Sequence, residues 1–418
     1  MDKKILMLGT FDTKADEFAL LYSEIRKRGR QILTMNTGVM ETKPSFPVDI
    51  EANEVALAGG VSLEELRKKG DRGYAVKVMC EGARNLTIKL FDEGKISGIA
   101  GMGGGGGTVI ATTAMRSLPV GFPKLCISTL ASGDVREYVG SKDIVLFPSI
   151  VDICGVNSFS RKIISRAAGA ICGMSELEPP EGERDRPIVF ISMFGSTTVC
   201  VEQCVSLLDG QGYDSMVFHA AGTGGRTMEE LTMENYPVAV LDITTTEWAD
   251  EVTGGFYSAG ETRLDAPGKM KIPHLIVPGC VDMANFHSKE TVPARYIEAG
   301  RLLYEWSPLA TLMRTNGEEN RRMGKIFAKK ANNARGPVKF LLPLKGVSVL
   351  DKQGKPFFNP EADRLFFEAV KENVNAGIEV AEIDAHINDK EFSRKAVDML
   401  LEMINTNKQE LASKGGDQ

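Results

Sequence analysis

Short apolar runs recur along this chain, and most are followed, after a short loop, by a segment of helical period. That alternation predicts parallel sheets with helices on both faces. In the first half the runs are KKILMLGT, RQILTMNTG, SGIAGMG, KLCISTL and KDIVLFPSI. After the first, ADEFALLYSEIRKRG sets Phe18, Leu21, Tyr22 and Ile25 on one helical stripe. The stretch 62–93, TVIATTAMRSL and SFSRKIISRAAGAICGMSEL also read as helices. A charged, proline-bearing stretch at 176–187, ELEPPEGERDRP, has no periodicity and reads as a linker. The rhythm then restarts with RPIVFISMF, DSMVFHAA, PVAVLDITTT, HLIVPGCVDM, VKFLLPLKG and EVAEIDAHI, and a final helix runs from about residue 389 to 412. A chain of 418 residues exceeds what one core usually serves. The expected architecture is two doubly wound, mainly parallel, Rossmann-like α/β domains, 1–180 and 186–418, with a cleft between them.

The net charge of −6 leaves no basic footprint for nucleic acid. No apolar run reaches the ~18 residues of a membrane span. Neither partner is expected. The apolar part of MDKKILMLGT is about six residues, short of the roughly 7–15 of a signal-peptide core, and reads as a first buried strand. Seven loosely spaced cysteines fit reduced thiols in a cytoplasmic protein. Cys200 and Cys204 share a helix face. A metal pair is one reading, but no histidine or further cysteine stands near them in sequence, and packing as small hydrophobes is expected.

Ligands of open α/β sheets bind beyond the carboxyl ends of the strands. Residues 101–107 hold six glycines, directly before TVIATTAMRSL. Backbone without Cβ atoms approaches an anion closely, and the helix behind aims its free N–H groups and dipole at the same point. Gly103, Gly104, Gly105, Gly106, Gly107 and Thr108 are therefore the expected phosphate or carboxylate cradle, Thr108 as an N-cap or first-turn hydroxyl. A flexible or tight packing turn is the plainer alternative. The run lacks the Lys-Ser/Thr of a Walker loop. It meets G-x-G-x-x-G as any glycine repeat does, and it lacks the aspartate of a GGDGT motif. In GTFDTK, Asp12, Thr13 and Lys14 open the first helix, Lys14 as a phosphate partner and Asp12 as a Mg2+ ligand. STLASGD adds Ser128, Thr129, Ser132 and Gly133.

The second half repeats the device in HAAGTGGRTMEE, with His219, Gly222, Thr223, Gly224, Gly225 and Arg226, the last as a charge clamp. Thr244, Thr245, Thr246 and Glu247 follow another strand. Asn285 lies in VDMANFH, and Arg314 in LMRTNGEEN as a clamp or beside a helix cap. Asp384 and His386 follow the last strand; with Glu247 they are the expected acid–base groups.

GTFDTK, GGGGGTVIATTAMRSLPVGFPK, STLASGD, FHAAGTGGRTMEEL, LDITTTEWADE, PGCVDMANF, TVP, LMRTNGEEN, LLPLKGVSVLD, NPEAD and DAHIND are similar, in order, to an uncharacterised two-domain family. That family is related to the ATP-binding amino-terminal region of the tomato mosaic virus resistance protein of plants. The resemblance spans residues 1 to about 400. It implies a two-domain α/β fold, ATP binding and a homodimer. The family often carries a serine where Gly105 or Gly106 stands. The resulting expectation is an ATP-dependent enzyme of kinase, ligase or hydrolase type, acting on a small polar or acidic metabolite held between the lobes. A non-catalytic nucleotide-responsive protein-binding module is the alternative.

Overall fold

Five parallel strands make the first sheet: β1 (Lys4–Gly9), β2 (Ile32–Asn36), β3 (Ile96–Gly103), β4 (Lys124–Ser128) and β5 (Val145–Pro148), in the order β2-β1-β3-β4-β5. They belong to a computed structural model that describes residues 3–177 and 186–415. The chain divides into two compact units, Met1–Glu181 and Gly182–Gln418. Residues 178–185, most of the expected linker, lie outside the described residues.

Strand periodicity explains why helices cover both faces of this sheet. Ile5 and Met7 face one core with Phe18, Leu21 and Ile164, while Leu6 and Leu8 face the other with Val78, Met79 and Ile110. The chain's direction of travel across the sheet reverses between β1 and β3. Their carboxyl ends therefore diverge into a crevice, the place where such folds hold ligands.

The second unit repeats this plan with β6 (Ile188–Met193), β7 (Asp214–His219), β8 (Ala239–Thr244) and β9 (His274–Gly279). Between β9 and the last two parallel strands comes a small antiparallel sheet of β10 (Met283–Phe286), β11 (Leu303–Ser307) and β12 (Ala310–Arg314), in the order β10-β12-β11. β13 (Val338–Pro343) and β14 (Glu379–Ile383) complete a six-stranded parallel sheet ordered β14-β13-β9-β8-β6-β7. Its reversal lies between β6 and β8.

All eleven parallel strands fall on the apolar runs of the sequence. The antiparallel sheet does not, because β11 is half exposed and carries no continuous apolar run. The stretch 62–93 is two helices, Leu63–Lys69 and Arg72–Asp92, not one. Gly70 ends the first in the left-handed region at φ 64°, and the Asp71 carboxylate caps the second by accepting from the Tyr74 amide. The final helix is Lys390–Gly415. No described helix is long and apolar enough to cross a membrane.

Candidate functional site

At the β1/β3 reversal the first unit carries a cavity of about 1030 Å³. Thr10, Asp12, Thr13 and Lys14 enter it from the end of β1, Thr37 and Gly38 from β2, and Gly104, Gly105, Gly106 and Gly107 from β3. The helix behind the glycine run is Gly105–Arg116, so three of the glycines are its first turn. Its N-cap is Gly104, and no side chain caps it. First-turn amides have no partner within their own helix, so those of Gly105 to Gly107 face outward unspent. A Cβ on Gly105 would meet nothing within 4 Å, whereas one on Gly103 would fall 2.7 Å from the Gly107 Cα. Gly103 thus lets the helix fold back on its strand, and Gly105 leaves open space.

Thr108 corrects the expectation placed on it. It is the fourth residue of the helix, fully buried, and its hydroxyl bonds the Gly103 carbonyl at 3.1 Å and Ser128 Oγ at 2.8 Å. Ser128 is buried with it and accepts from the Leu130 amide. This pair anchors the run from beneath and does not line the cavity. Thr129 lies beside Gly104, its amide donating to the Gly103 carbonyl, while Ser132 and Gly133 are exposed; none of the three lines the cavity. Lys14 does line it, but its ammonium donates to the Ile153 carbonyl. Asp12 takes the Met40 amide on Oδ2 at 2.9 Å.

The second glycine loop has the same strand–glycine–helix order and the opposite outcome. Glu247 Oε1 accepts from the amides of Gly222 at 2.9 Å and Gly225 at 3.1 Å, at the start of the helix Thr223–Met233. An internal carboxylate therefore occupies the place an external anion would take. Arg263 holds it, with Nε 2.7 Å from Glu247 Oε2, and also binds Asp242 and Glu229; His274 bonds Asp242 at 2.9 Å. All these side chains are buried. Burial opposes ionisation of Asp242, but the Arg263 guanidinium overrides it and holds the carboxyl below its usual range. At Glu229 and Glu247 burial prevails and the carboxyls are raised.

Several expected substrate groups of this unit are likewise turned inward. The hydroxyls of Thr244, Thr245 and Thr246 bond Thr197 Oγ1, the Val277 carbonyl and the Met283 carbonyl. Asn285 Nδ2 donates to Asp250 at 2.7 Å. Arg314 is buried against Asp363 at 2.7 Å and the Phe357 carbonyl at 2.8 Å. Asn316 beside it caps the helix Gly317–Asn332 in a capping box with Glu319.

The three expected acid–base groups do not form one constellation. β8 and β14 are three strand steps apart, roughly 14 Å, which separates Glu247 from the other two. His386 is buried; its Nδ1 accepts from the Asn388 amide at 3.1 Å, so Nε2 carries the proton given to the Ser348 carbonyl at 2.8 Å. Asp384 points out to Lys345 at 2.8 Å. Of the expected substrate residues, His219, Thr223, Gly224 and Arg226 alone reach the surface in whole or part; His219 stacks on Phe194, and Arg226 donates to the Ser258 carbonyl. Cys200 and Cys204 are free thiols packed in the hydrophobic core of this unit, with weak hydrogen bonds to Ser393.

Two family profiles cover almost the whole chain. Residues 3–180 match the amino-terminal domain of Uncharacterised protein family UPF0261, and residues 186–404 match its carboxyl-terminal domain. The chain belongs to the UPF0261 family. A UPF0261 protein of Clostridium tetani is 45% identical over 97% of this chain and 100% of its own length. UPF0261 protein RA0729 of Rhizobium meliloti is 42% identical over 94% of this chain and 98% of its own. The ToMV resistance protein Tm-1(GCR237) of Solanum lycopersicum is 37% identical over 96% of this chain and 56% of its own length, so relatedness to that plant protein is established.

For this UPF0261 chain the residues that sequence reasoning missed come from the helix break at Gly70. Arg67 and Arg72 line the cavity. Arg67 Nε donates to the Val39 carbonyl at 2.6 Å. Arg72 has no hydrogen-bond or ion-pair partner among the described residues, and its Nη2 lies 4.0 Å from where a Gly106 Cβ would stand. Leu66, Ala75, Val76, Met79 and Ile110 give the cavity an apolar wall. The signal was present as Gly70-Asp71, a C-cap residue followed by an N-cap residue.

Proposed function

We propose that the amino-terminal unit of this UPF0261 protein binds a nucleotide, ATP, with the phosphates against the first-turn amides of Gly105, Gly106 and Gly107. The observation that carries this reading is an uncapped helix N-terminus opening on a large cavity at the sheet reversal, beside the Arg72 guanidinium, which has no partner among the described residues. Free N–H groups, the helix dipole and a planar cation all favour a phosphate. The apolar wall of Ala75, Val76, Met79 and Ile110 suits a purine ring. Mg2+ would travel with the phosphates, a mode in which the protein supplies few ligands of its own. Among the described residues no group of three or more His, Cys, Asp or Glu is set to hold a metal alone.

The inward engagement of Glu247, Thr244 to Thr246, Asn285, Arg314 and His386 favours a nucleotide-responsive binding protein over an enzyme whose chemistry resides in the carboxyl-terminal unit. Calorimetric titration with Mg-ATP tests the binding. The wild-type chain is expected to bind, and Gly105→Val and Arg72→Ala to weaken binding by about 10-fold or more. Wild-type affinity in both variants removes the cradle from consideration. An assay for phosphate release separates the two functional classes: turnover by the wild-type chain, lost in Gly105→Val, restores the enzyme.

A further inference from the structure

Two oxygens on the lining residues of the nucleotide cavity lack a partner among the described residues. Thr37 is 1% exposed, and its Oγ1 makes no hydrogen bond. Asp12 Oδ1 is likewise unsatisfied, although Oδ2 of the same carboxylate holds the Met40 amide. Both residues line the cavity. A folded chain rarely leaves such groups unpaired, because each has lost its water and gained nothing in return. The backbone is shaped to bring them there. A Cβ on Gly38 would fall 2.4 Å from the Asp12 Cγ, so only glycine lets the turn after β2 close over that carboxylate.

We propose that Asp12 and Thr37 form a hydroxyl-reading subsite, and that it takes the ribose of the nucleotide. The proposal rests on the nucleotide reading above and specifies the part of the ligand that reading leaves open. A carboxylate oxygen only accepts, and a threonine hydroxyl both donates and accepts. Their complement is a group that itself donates and accepts, and a sugar diol supplies two. Position agrees with chemistry. Thr37 follows β2, Asp12 follows β1 and the glycine run follows β3, and these strands are neighbours in the order β2-β1-β3. At about 4.8 Å per strand the subsite lies roughly 5–10 Å from the first-turn amides. That is the reach from the ribose hydroxyls of a nucleotide to its phosphates. A metal ion fits less well, since one carboxylate and one neutral hydroxyl fall short of the six or more oxygens a hard cation takes.

The test uses the full chain in calorimetric titrations with inorganic phosphate, ribose 5-phosphate, 2-deoxyribose 5-phosphate, ATP, 2′-deoxy-ATP and 3′-deoxy-ATP. Loss of the hydroxyl that meets Asp12 is expected to weaken binding by about 10- to 100-fold, as for a hydrogen bond to a charged group. Asp12→Asn keeps the acceptor for Met40 and replaces the other oxygen with a donor; it is expected to bring the ribose-to-deoxyribose ratio close to 1 while inorganic phosphate binds as before. Thr37→Val provides the same readout should the Asp12 variant fail to fold. Equal binding of ATP and both deoxy analogues overturns the subsite and leaves the nucleotide reading intact. Ribose 5-phosphate binding above its deoxy analogue, with no ATP binding, upholds the subsite and overturns the nucleotide. Discrimination that disappears when Mg2+ is chelated makes Asp12 a cation ligand and overturns the proposal. Failure of ATP and ribose 5-phosphate alike to bind overturns both.

Discussion

The two glycine loops of this protein begin from the same grammar and end differently. Each follows a parallel strand and opens a helix, and each offers backbone amides at a helix N-terminus. At 105–107 those amides face a cavity, and no described side chain caps them. At 222–225 they hold Glu247, which Arg263 fixes in turn. A glycine run therefore specifies exposed amides, and the rest of the fold decides whether a ligand or the protein itself satisfies them. The second loop also carries internal charge that the first lacks, so the two loops should respond to mutation in opposite ways.

The largest expected effect is on the plugged loop. Arg263→Met leaves Asp242, Glu247 and Glu229 buried without their cation and should destabilise the carboxyl-terminal unit by about 3–5 kcal/mol in chemical denaturation. A loss under about 1 kcal/mol would mean that the cluster does not hold the loop. Next comes a matched pair. A Cβ on Gly225 would sit 2.2 Å from Glu247 Oε2, so Gly225→Val should cost about 2–4 kcal/mol. Gly105→Val, placed in open space, should change stability by less than about 1 kcal/mol and act on ligand affinity instead. Equal stability losses in the pair would erase the distinction between the loops.

Buried charge in the carboxyl-terminal unit also sets a pH dependence. Burial, reinforced by Asp351, pushes Asp282 up to about 7 against the pull of Arg314. An exposed aspartate in the unfolded chain loses its proton near pH 4. The folded chain thus binds the extra proton between about pH 4 and 7, and stability declines as pH rises through that window, then levels off. Asp282→Asn should flatten the decline by roughly 1–4 kcal/mol in urea titrations at pH 5 and pH 8. An unaltered slope would place the proton on another group. A smaller effect tests the plug itself. In Glu247→Ala the amides of Gly222 and Gly225 are freed, so phosphate should raise the melting temperature of the variant by about 2–3 °C more than that of the wild type. No difference would show that the loop, once emptied, does not retain an anion site.

Much of the architecture was legible because strand and helix periods are local properties of the chain. Every described parallel strand coincides with an apolar run, and the glycine run points to the cavity at its end. The site was less legible where chemistry depended on which way a side chain turned. His386 and Asp384 stand two residues apart in one polar loop, yet one is buried on Ser348 and the other faces Lys345 at the surface. Thr108, Thr244 and Arg314 look like binding residues in sequence because hydroxyls and guanidinium groups serve ligands and cores alike. Arg72 is not legible as a site residue because a two-residue break reads as part of one long helical pattern.

By itself the sequence determined the class of fold, the two-unit order and the two places where backbone amides would be bared, since all follow from patterning within a few dozen residues. Only the tertiary structure decided which amides stay free. That choice depends on residues brought together from separate helices and turns, Glu247 and Arg263 at one loop and Arg72 beside the other. No local pattern encodes a contact whose partners lie more than fifteen residues apart in the chain.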